Sequence, residues 1–296
     1  MRFKPTRRER ERFIGMIDVW RSASVAGVAA ILIIIGAIPA RAVEPLQFEP
    51  ADFLILSADG SQQLGLCSFR MKKTRYGATI HGLSRYNSGE SDDETVSLAI
   101  PRDGSVPRPV DFEHAFYDSN RRATLEVNAN FITGRAHCAD YRPESAYDET
   151  TTLSFPDDTW AGASVVIPIQ RLLRSGATAT GKLHFFTCTP GPKVYEVDIE
   201  PDSARSQWPY YRGDLVKVDV RPYFGLFDVL VRAFVPDLKS WFDPTSNWDF
   251  VGAQMTRYFK GPAIIMVKAP PGARRTSTLP KDDAMLGIAP RKSNSN

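Results

Sequence analysis

Between Ala51 and Val267 the chain returns repeatedly to a two-residue period, and that period limits its fold more than any other feature. Along Ala123–Phe131, Leu125, Val127, Ala129 and Phe131 alternate with Glu126, Asn128 and Asn130. Neighbouring side chains on a strand point to opposite faces, so this pattern predicts an antiparallel strand with one buried face. Phe53–Leu56, Leu64–Met71, Arg75–Tyr86, Thr95–Ile100, Phe112–Tyr117 and Arg135–Tyr141 read the same way. Turn signals stand between them at Ser57–Gly60, Asp118–Asn120 and Gly134. Asn87–Glu94 (NSGESDDE) reads as an exposed acidic loop, Pro101–Pro109 as a break and Arg142–Thr159 as a long connection. Strands resume at Lys182–Thr187, Lys193–Ile199, Leu215–Arg221 and Gly225–Phe234 and continue to Val267.

One short helix is expected near residues 160–174. Asp157, Asp158 or Thr159 would cap it, and Trp160, Val165, Ile169, Leu172 and Leu173 keep roughly helical spacing. Pro168 kinks it or confines it to Ile169–Arg174, and Ser175-Gly176 ends it. No internal repeat is present. The predicted fold class is mostly β: one curved antiparallel sheet, a half-barrel or open barrel, within a single domain over residues 43–268. Residues 269–296, with little to bury, are expected to be a disordered tail.

Ahead of the sheet stands a segment of another kind. A basic leader, Met1–Ser24, precedes the apolar run Val25–Ile38 and then Ala40-Arg41-Ala42. A positive leader, an apolar run and a small-x-small site are the three parts of a secretory signal. Residues 23–40 are also long enough for a signal anchor, which would hold the chain in a membrane. Pro39 and the Ala-Arg-Ala site favour cleavage, and a start at Met16 would give a leader of ordinary length. The expected location is therefore periplasmic or secreted. The alternative is an inner-membrane anchor with the β domain outside the cytoplasm. Residues 1–42 hold eight basic and three acidic groups, leaving 29 basic against 31 acidic in the remainder. The formal charge of +3 thus belongs to targeting, and nothing in the β domain's charge attracts nucleic acid. In an oxidising compartment one pair among Cys67, Cys138 and Cys188 could form a disulfide; the alternative is three buried thiols.

Motifs for chemistry are sparse. His81, His114, His137 and His184 fall on four separate strands without metal-ligand spacing, so no metal is expected. There is no G-x-S-x-G, dinucleotide fingerprint or phosphate loop, so no cofactor is expected. His137 and Cys138 are adjacent strand residues on opposite faces, which argues against a thiol–imidazole pair. From Trp208 to Phe259 there are 13 aromatics in 52 residues, enough for a dense core or for the lining of a concave site. Trp208, Tyr211, Trp241 and Trp248 are the candidate ligand-binding residues, for a lipid, a glycan or an envelope-protein segment. The leading expectation is a non-enzymatic binding or structural module. The alternative is a secreted hydrolase or lyase, which requires His81, His114, His137, Asp111 and Asp140 to meet in one cleft.

The string Leu238-Lys239-Ser240-Trp241-Phe242-Asp243-Pro244, followed by Trp248, Gly252, Tyr258, Gly261 and Pro262, resembles a family of uncharacterised bacterial periplasmic proteins. Tyr76–Thr79 and the Asp118–Asn120 turn look like that family's opening meander. The resemblance spans about residues 50–267 and implies a domain of unknown function with an antiparallel half-barrel sheet. It implies no catalytic residues. The loop at 87–94 and the helix near 160–174 depart from the family pattern. Beside the ligand-site reading stands another, in which Trp241 is a packed indole and Asp243 a turn-capping carboxylate.

Overall fold

The computed structural model describes residues 48–101, 106–176, 180–188, 191–202, 204–223, 238–258 and 261–270. The signal or anchor at 1–42, the strand expected over Gly225–Phe234 and the tail from 271 lie outside these residues.

The described chain is mostly strand. It opens with β1 (Ala51–Ser57), β2 (Gln63–Lys73), β3 (Gly77–Tyr86), β4 (Ser91–Ala99), β5 (Arg108–Tyr117), β6 (Ala123–Asn130), β7 (Arg135–Asp140) and β8 (Tyr147–Thr152). A two-residue strand, β9 (Thr159–Trp160), and a 3-10 turn at Gly162–Val165 lead into helix α1 (Val166–Arg174). Then come β10 (Gly181–Cys188), β11 (Pro192–Pro201), β12 (Ser206–Trp208), β13 (Tyr211–Pro222), β14 (Leu238–Asp243), β15 (Asp249–Thr256) and β16 (Ala263–Lys268). The hydrogen-bonded order is β8-β7-β6-β5-β4-β3-β2-β1-β16-β15-β14-β13-β11-β10-β9, with β12 paired to β13. All pairs are antiparallel except β9 with β10. The result is one large curved, open sheet with one short helix.

Two expectations change here. The acidic stretch is not a loop: the turn is confined to Asn87–Glu90, and Ser91, Asp92, Asp93 and Glu94 pair along β3 and β5. Arg142–Thr159 is not one connection but contains β8 and the start of β9. β8 is polar because it is an exposed edge strand, whereas β4 carries Asp92 and Glu94 on its inner face; either way the strand is hidden from a reading based on apolar alternation.

The inner face carries the main core. Phe53, Ile55, Ile80, Val96, Phe186 and Phe242 are fully buried there together with Ile169 of α1. Helix α1 begins after Trp160, which the structure places in β9 rather than in the helix. Pro168 falls in its first turn, where a missing N–H leaves no intrahelical bond unmade. Gly176, at φ +74°, closes its C-terminus in the left-handed conformation. Val166, Ile167, Ile169, Gln170 and Leu173 are buried. The Gln170 amide donates to the Trp248 carbonyl at 3.0 Å, and the Arg174 guanidinium donates to Asn247 at 3.1 Å.

The sheet's two ends are brought together by a disulfide. Cys138 on β7 is bonded to Cys188 at the end of β10, with Cα atoms 5.9 Å apart. Each strand is one removed from its end of the sheet. No backbone ladder joins β8 to β9 among the described residues, so closure rests on this bond and on packing. The packing is aromatic: Phe112, Phe131 and Phe155 each meet the Phe186 ring edge-on, with centroids 5.6–6.2 Å apart. Cys67 is a free, buried thiol, and burial pushes its pKa up so far that it stays protonated and inert.

Candidate functional site

The meander sorts its turns onto two rims. The β2–β3, β4–β5, β6–β7, β8–β9 and β14–β15 connections share one, here called the lower rim. The β1–β2, β3–β4, β5–β6, β7–β8, β10–β11 and β15–β16 connections share the upper rim.

The candidate aromatic residues divide between the two faces of the sheet. Trp208 and Trp241 stack with centroids 4.2 Å apart and planes 6° from parallel, and each is only 6 % exposed. They lie with Leu215, Val251, Ile265 and Val267 in a cluster separate from the main core. Because Phe242 belongs to the main core, its neighbour Trp241 faces the opposite, outer side. The β12–β13 hairpin lies over this outer patch, and at its tip the Tyr210 hydroxyl donates to the Asp59 carbonyl at 3.3 Å. A Cβ at Gly252 would overlap the Trp208 ring, so the bare backbone there is what admits the indole. Burial by this hairpin also explains why Phe53-Leu54-Ile55-Leu56 and Ile264–Val267 are unbroken apolar runs: these strands are covered on both faces.

Tyr211 joins the cluster's edge, its hydroxyl 3.4 Å from Asp243. Burial, and then the Asp243 carboxylate, raise its pKa. Burial acts against ionised Asp243, yet hydrogen bonds from the Thr245 hydroxyl and amide and from Ser246 outweigh it and hold the carboxyl low. Asp243 is thus the turn cap of the second reading. Trp248 stands apart, packed against the main core with φ +62° and with Arg205 over its ring at 6.0 Å. A positive φ is rare for a bulky residue, and the Gln170 bond to its carbonyl helps hold it there.

The histidines and acids of the hydrolase reading are each engaged locally. His81 bonds Asp93 at 2.9 Å and His137 bonds Asp148 at 2.9 Å, both on the outer face opposite Ile80 and Cys138. Asp111, also on the outer face, accepts from the Asn130 amide at 2.6 Å. Asp140 takes a two-pronged bond from Arg142 at 2.9 and 2.6 Å. Even His184 has its aspartate, Asp158, at 2.7 Å. His114 faces inward, bonded to Asp92 at 3.0 Å and packed on the Phe116 ring at 4.6 Å. The five do not meet in one cleft. Among the described residues no group of His, Cys, Asp or Glu is arranged to hold a metal ion.

What sequence reasoning misses is the partner set of His114. Asp92 and Glu94 share the inner face of β4 with Val96 and Leu98, and His114 lies directly across from Glu94. A signal is present, since Asp92-x-Glu94-x-Val96-x-Leu98 is one alternating run whose first half is acidic. The Glu94 carboxylate accepts the Ala163 N–H at 2.7 Å, capping the 3-10 turn that leads into α1. Gly162, at φ +50°, lies so close that a Cβ there would overlap that carboxylate. Burial raises the Glu94 pKa, and the His114 charge and the Ala163 bond only partly offset this. For His114, burial acts downward, but Asp92, Glu94 and Asp93 together outweigh it and raise its pKa above the ordinary 6.5.

A stability change with pH follows. A histidine whose folded pKa is raised contributes its full stability below the unfolded value, about 6.5, and loses it as pH climbs through the folded value. His81, raised by its bond to Asp93, acts in the same direction. Denaturant midpoints are therefore expected to fall as pH rises above about 6.5 and through the raised folded values. In His114→Gln that fall becomes shallower; an unchanged slope would show that the inner pair carries no proton-linked energy.

On the upper rim, cations pair with aromatic rings. Arg257 lies 3.5 Å over the Tyr86 ring and bonds Glu90 at 2.9 Å. Arg142 lies 4.0 Å over Tyr258, whose ring meets Phe116 edge-on. The lower rim instead holds a cleft of about 280 Å³, bordered by Pro109, Val110, Phe131, Ile132 and Phe155 and by the Arg108–Asp157 ion pair. No helix among the described residues is long and apolar enough to cross a membrane.

No protein-family model matches this chain, and no curated protein does. It is similar to a solved structure described as a "Beta-barrel-like Protein of Domain of Unknown Function DUF1849" from Brucella abortus. Identity is 10 %, the match covers 74 % of this chain and 94 % of that one, and the TM-score is 0.44. The chain thus has a weak likeness to a domain of unknown function, and no activity comes with it.

Proposed function

We propose that this chain is an exported protein of the bacterial cell envelope that works as a non-enzymatic binding or structural module. The observation that carries this reading is the Cys138–Cys188 bond holding the two ends of the sheet together. A fold closed by a disulfide suits an oxidising compartment, and the basic leader, apolar run and Ala-Arg-Ala site supply a route to one. The engagement of His81, His137, Asp111 and Asp140 with local partners favours a module over a catalyst. In this reading the Trp208–Trp241 stack fixes the hairpin, and a partner meets the lower rim and its apolar cleft.

The test is a thiol count on protein recovered from the envelope fraction, unfolded without reductant. One reactive thiol, Cys67, is expected, rising to three after reduction. The mass should correspond to a chain beginning at Val43, or to the full chain if residues 23–40 stay in the membrane as an anchor. Three reactive thiols before reduction, in a protein recovered from the cytosol, would sink the proposal.

A further inference from the structure

The lower rim carries three exposed apolar tips on successive turns of that rim. Tyr76 in the β2–β3 turn is 55 % exposed, Val106 ahead of β5 is 40 % exposed and Ile132 in the β6–β7 turn is 75 % exposed. An isolated exposed apolar residue needs no explanation, but three on neighbouring turns of one rim, beside an apolar cleft, form a patch. The patch is ringed by Lys72, Lys73, Arg75 and Arg135, all exposed. Lys72, Lys73 and Arg135 have no carboxylate partner among the described residues. Among the described residues the nearby acids Asp157, Asp158 and Asp52 are held by Arg108, His184 and Arg70, and Glu49 opposes the ring beside the start of β1.

The connectivity points the same way. β1 begins and β16 ends on this rim, because Phe53 pairs with Lys268 and Ala51 with Phe69. The sequence preceding β1 contains the apolar run Val25–Ile38. The sequence following β16 carries Arg274, Arg275, Lys281, Arg291 and Lys292 against Asp282 and Asp283. The basic sequence that follows Lys268 therefore leaves the sheet at the end that bears the tips.

We propose that the lower rim docks on an anionic lipid bilayer, with Tyr76, Val106 and Ile132 entering the headgroup region and the lysines and arginines around them meeting lipid phosphates. Apolar tips ringed by cations match such a surface on both counts: buried apolar area drives insertion, and the charges add long-range attraction. The Arg108–Asp157 pair at the cleft's lip sits where a phosphate would compete for the guanidinium. The proposal deepens the envelope-module reading by naming the partner of the rim, and it rests on that reading only for the membrane's being within reach.

The test uses the full chain with Ile132→Cys carrying an environment-sensitive fluorophore, and a second sample labelled at Tyr141→Cys on the upper rim. Both positions are exposed, and Cys67 is buried. The probe used is vesicles of phosphatidylcholine with and without phosphatidylglycerol. The expected result is a blue shift at position 132 on the anionic vesicles alone, quenched by brominated acyl chains, and none at position 141. Lys72→Gln, Lys73→Gln and Arg75→Gln together should lower the equilibrium constant for docking by on the order of 100-fold, since each surface cation contributes roughly a five-fold factor. No shift at 132, an equal shift on uncharged vesicles, or equal shifts at both positions would overturn the proposal. So would a shift that grows with protein concentration in the absence of lipid, which would assign the rim to a second copy of the chain. The thiol count reports on export independently, so failure of one reading is distinguishable from failure of the other.

Discussion

Replacing Cys138 and Cys188 together with alanine is expected to cost about 4 kcal/mol of stability, the loop-closure value for a sequence separation of 50 residues. The loss should be local in its effect. The bond ties β7 to β10 across the gap between sheet ends that no ladder bridges, whereas β1 to β5 and β13 to β16 keep their full pairing. Hydrogen exchange should therefore quicken first in β7, β8 and β10, while amides at the β1–β16 seam stay protected. The β signal in circular dichroism should persist, and the denaturant midpoint should drop. Reduction of the unmodified protein should give the same drop, and Cys67→Ala alone should not. A loss below about 1 kcal/mol would mean that the Phe112, Phe131, Phe155 and Phe186 packing closes the sheet unaided.

Trp241→Ala is expected to cost about 3–5 kcal/mol, the range for deleting a buried aromatic ring. The indole is the floor on which Trp208 stacks, and Trp208 anchors the β12–β13 hairpin to the outer face. Without it the hairpin loses its main contact, so Arg205 and Arg212 should become trypsin-sensitive while the inner core stays intact. Tyr211→Phe removes only a 3.4 Å hydrogen bond and should change stability by less than about 1 kcal/mol. Equilibrium denaturation with limited proteolysis checks all three statements. The experiment also separates the two meanings of the aromatic excess: a ligand-contacting tryptophan on an open groove would leave stability nearly unchanged when removed.

Much of the architecture is legible in the amino-acid sequence, and the reason is visible in particular residues. Leu125, Val127 and Ala129 bury one face while Glu126 and Asn128 meet solvent, and such contrast survives translation into a strand without loss. The helix is legible too, although Trp160 belongs to β9, because an indole beside an N-cap sequence fits either element. Asp92 and Glu94 continue the alternation of Val96 and Leu98, but their charge makes the run read as a solvated loop. A carboxylate in a sheet interior is costly unless paired, and its pairing with His114 and the Ala163 amide is a long-range fact with no local mark. Trp208 and Trp241 fail as indicators of a concave face for a related reason: composition counts aromatics but does not say which side of the sheet each one takes. The disulfide is an open choice among three cysteines, since strand order decides which two meet.

The centre of the sheet joins β1 to β16, the first and last of the described strands. During synthesis β1 keeps an unpaired edge until more than 200 residues have followed it. Pairing across that separation is slow, because a long loop must be ordered before any contact rewards it. An unfinished chain therefore cannot lock into a barrel ahead of time; it stays threadable, and its free edge is what a holding chaperone would have to guard. Under the export we propose, a seam made by the last described strand acts as a timer, set by the order of the elements.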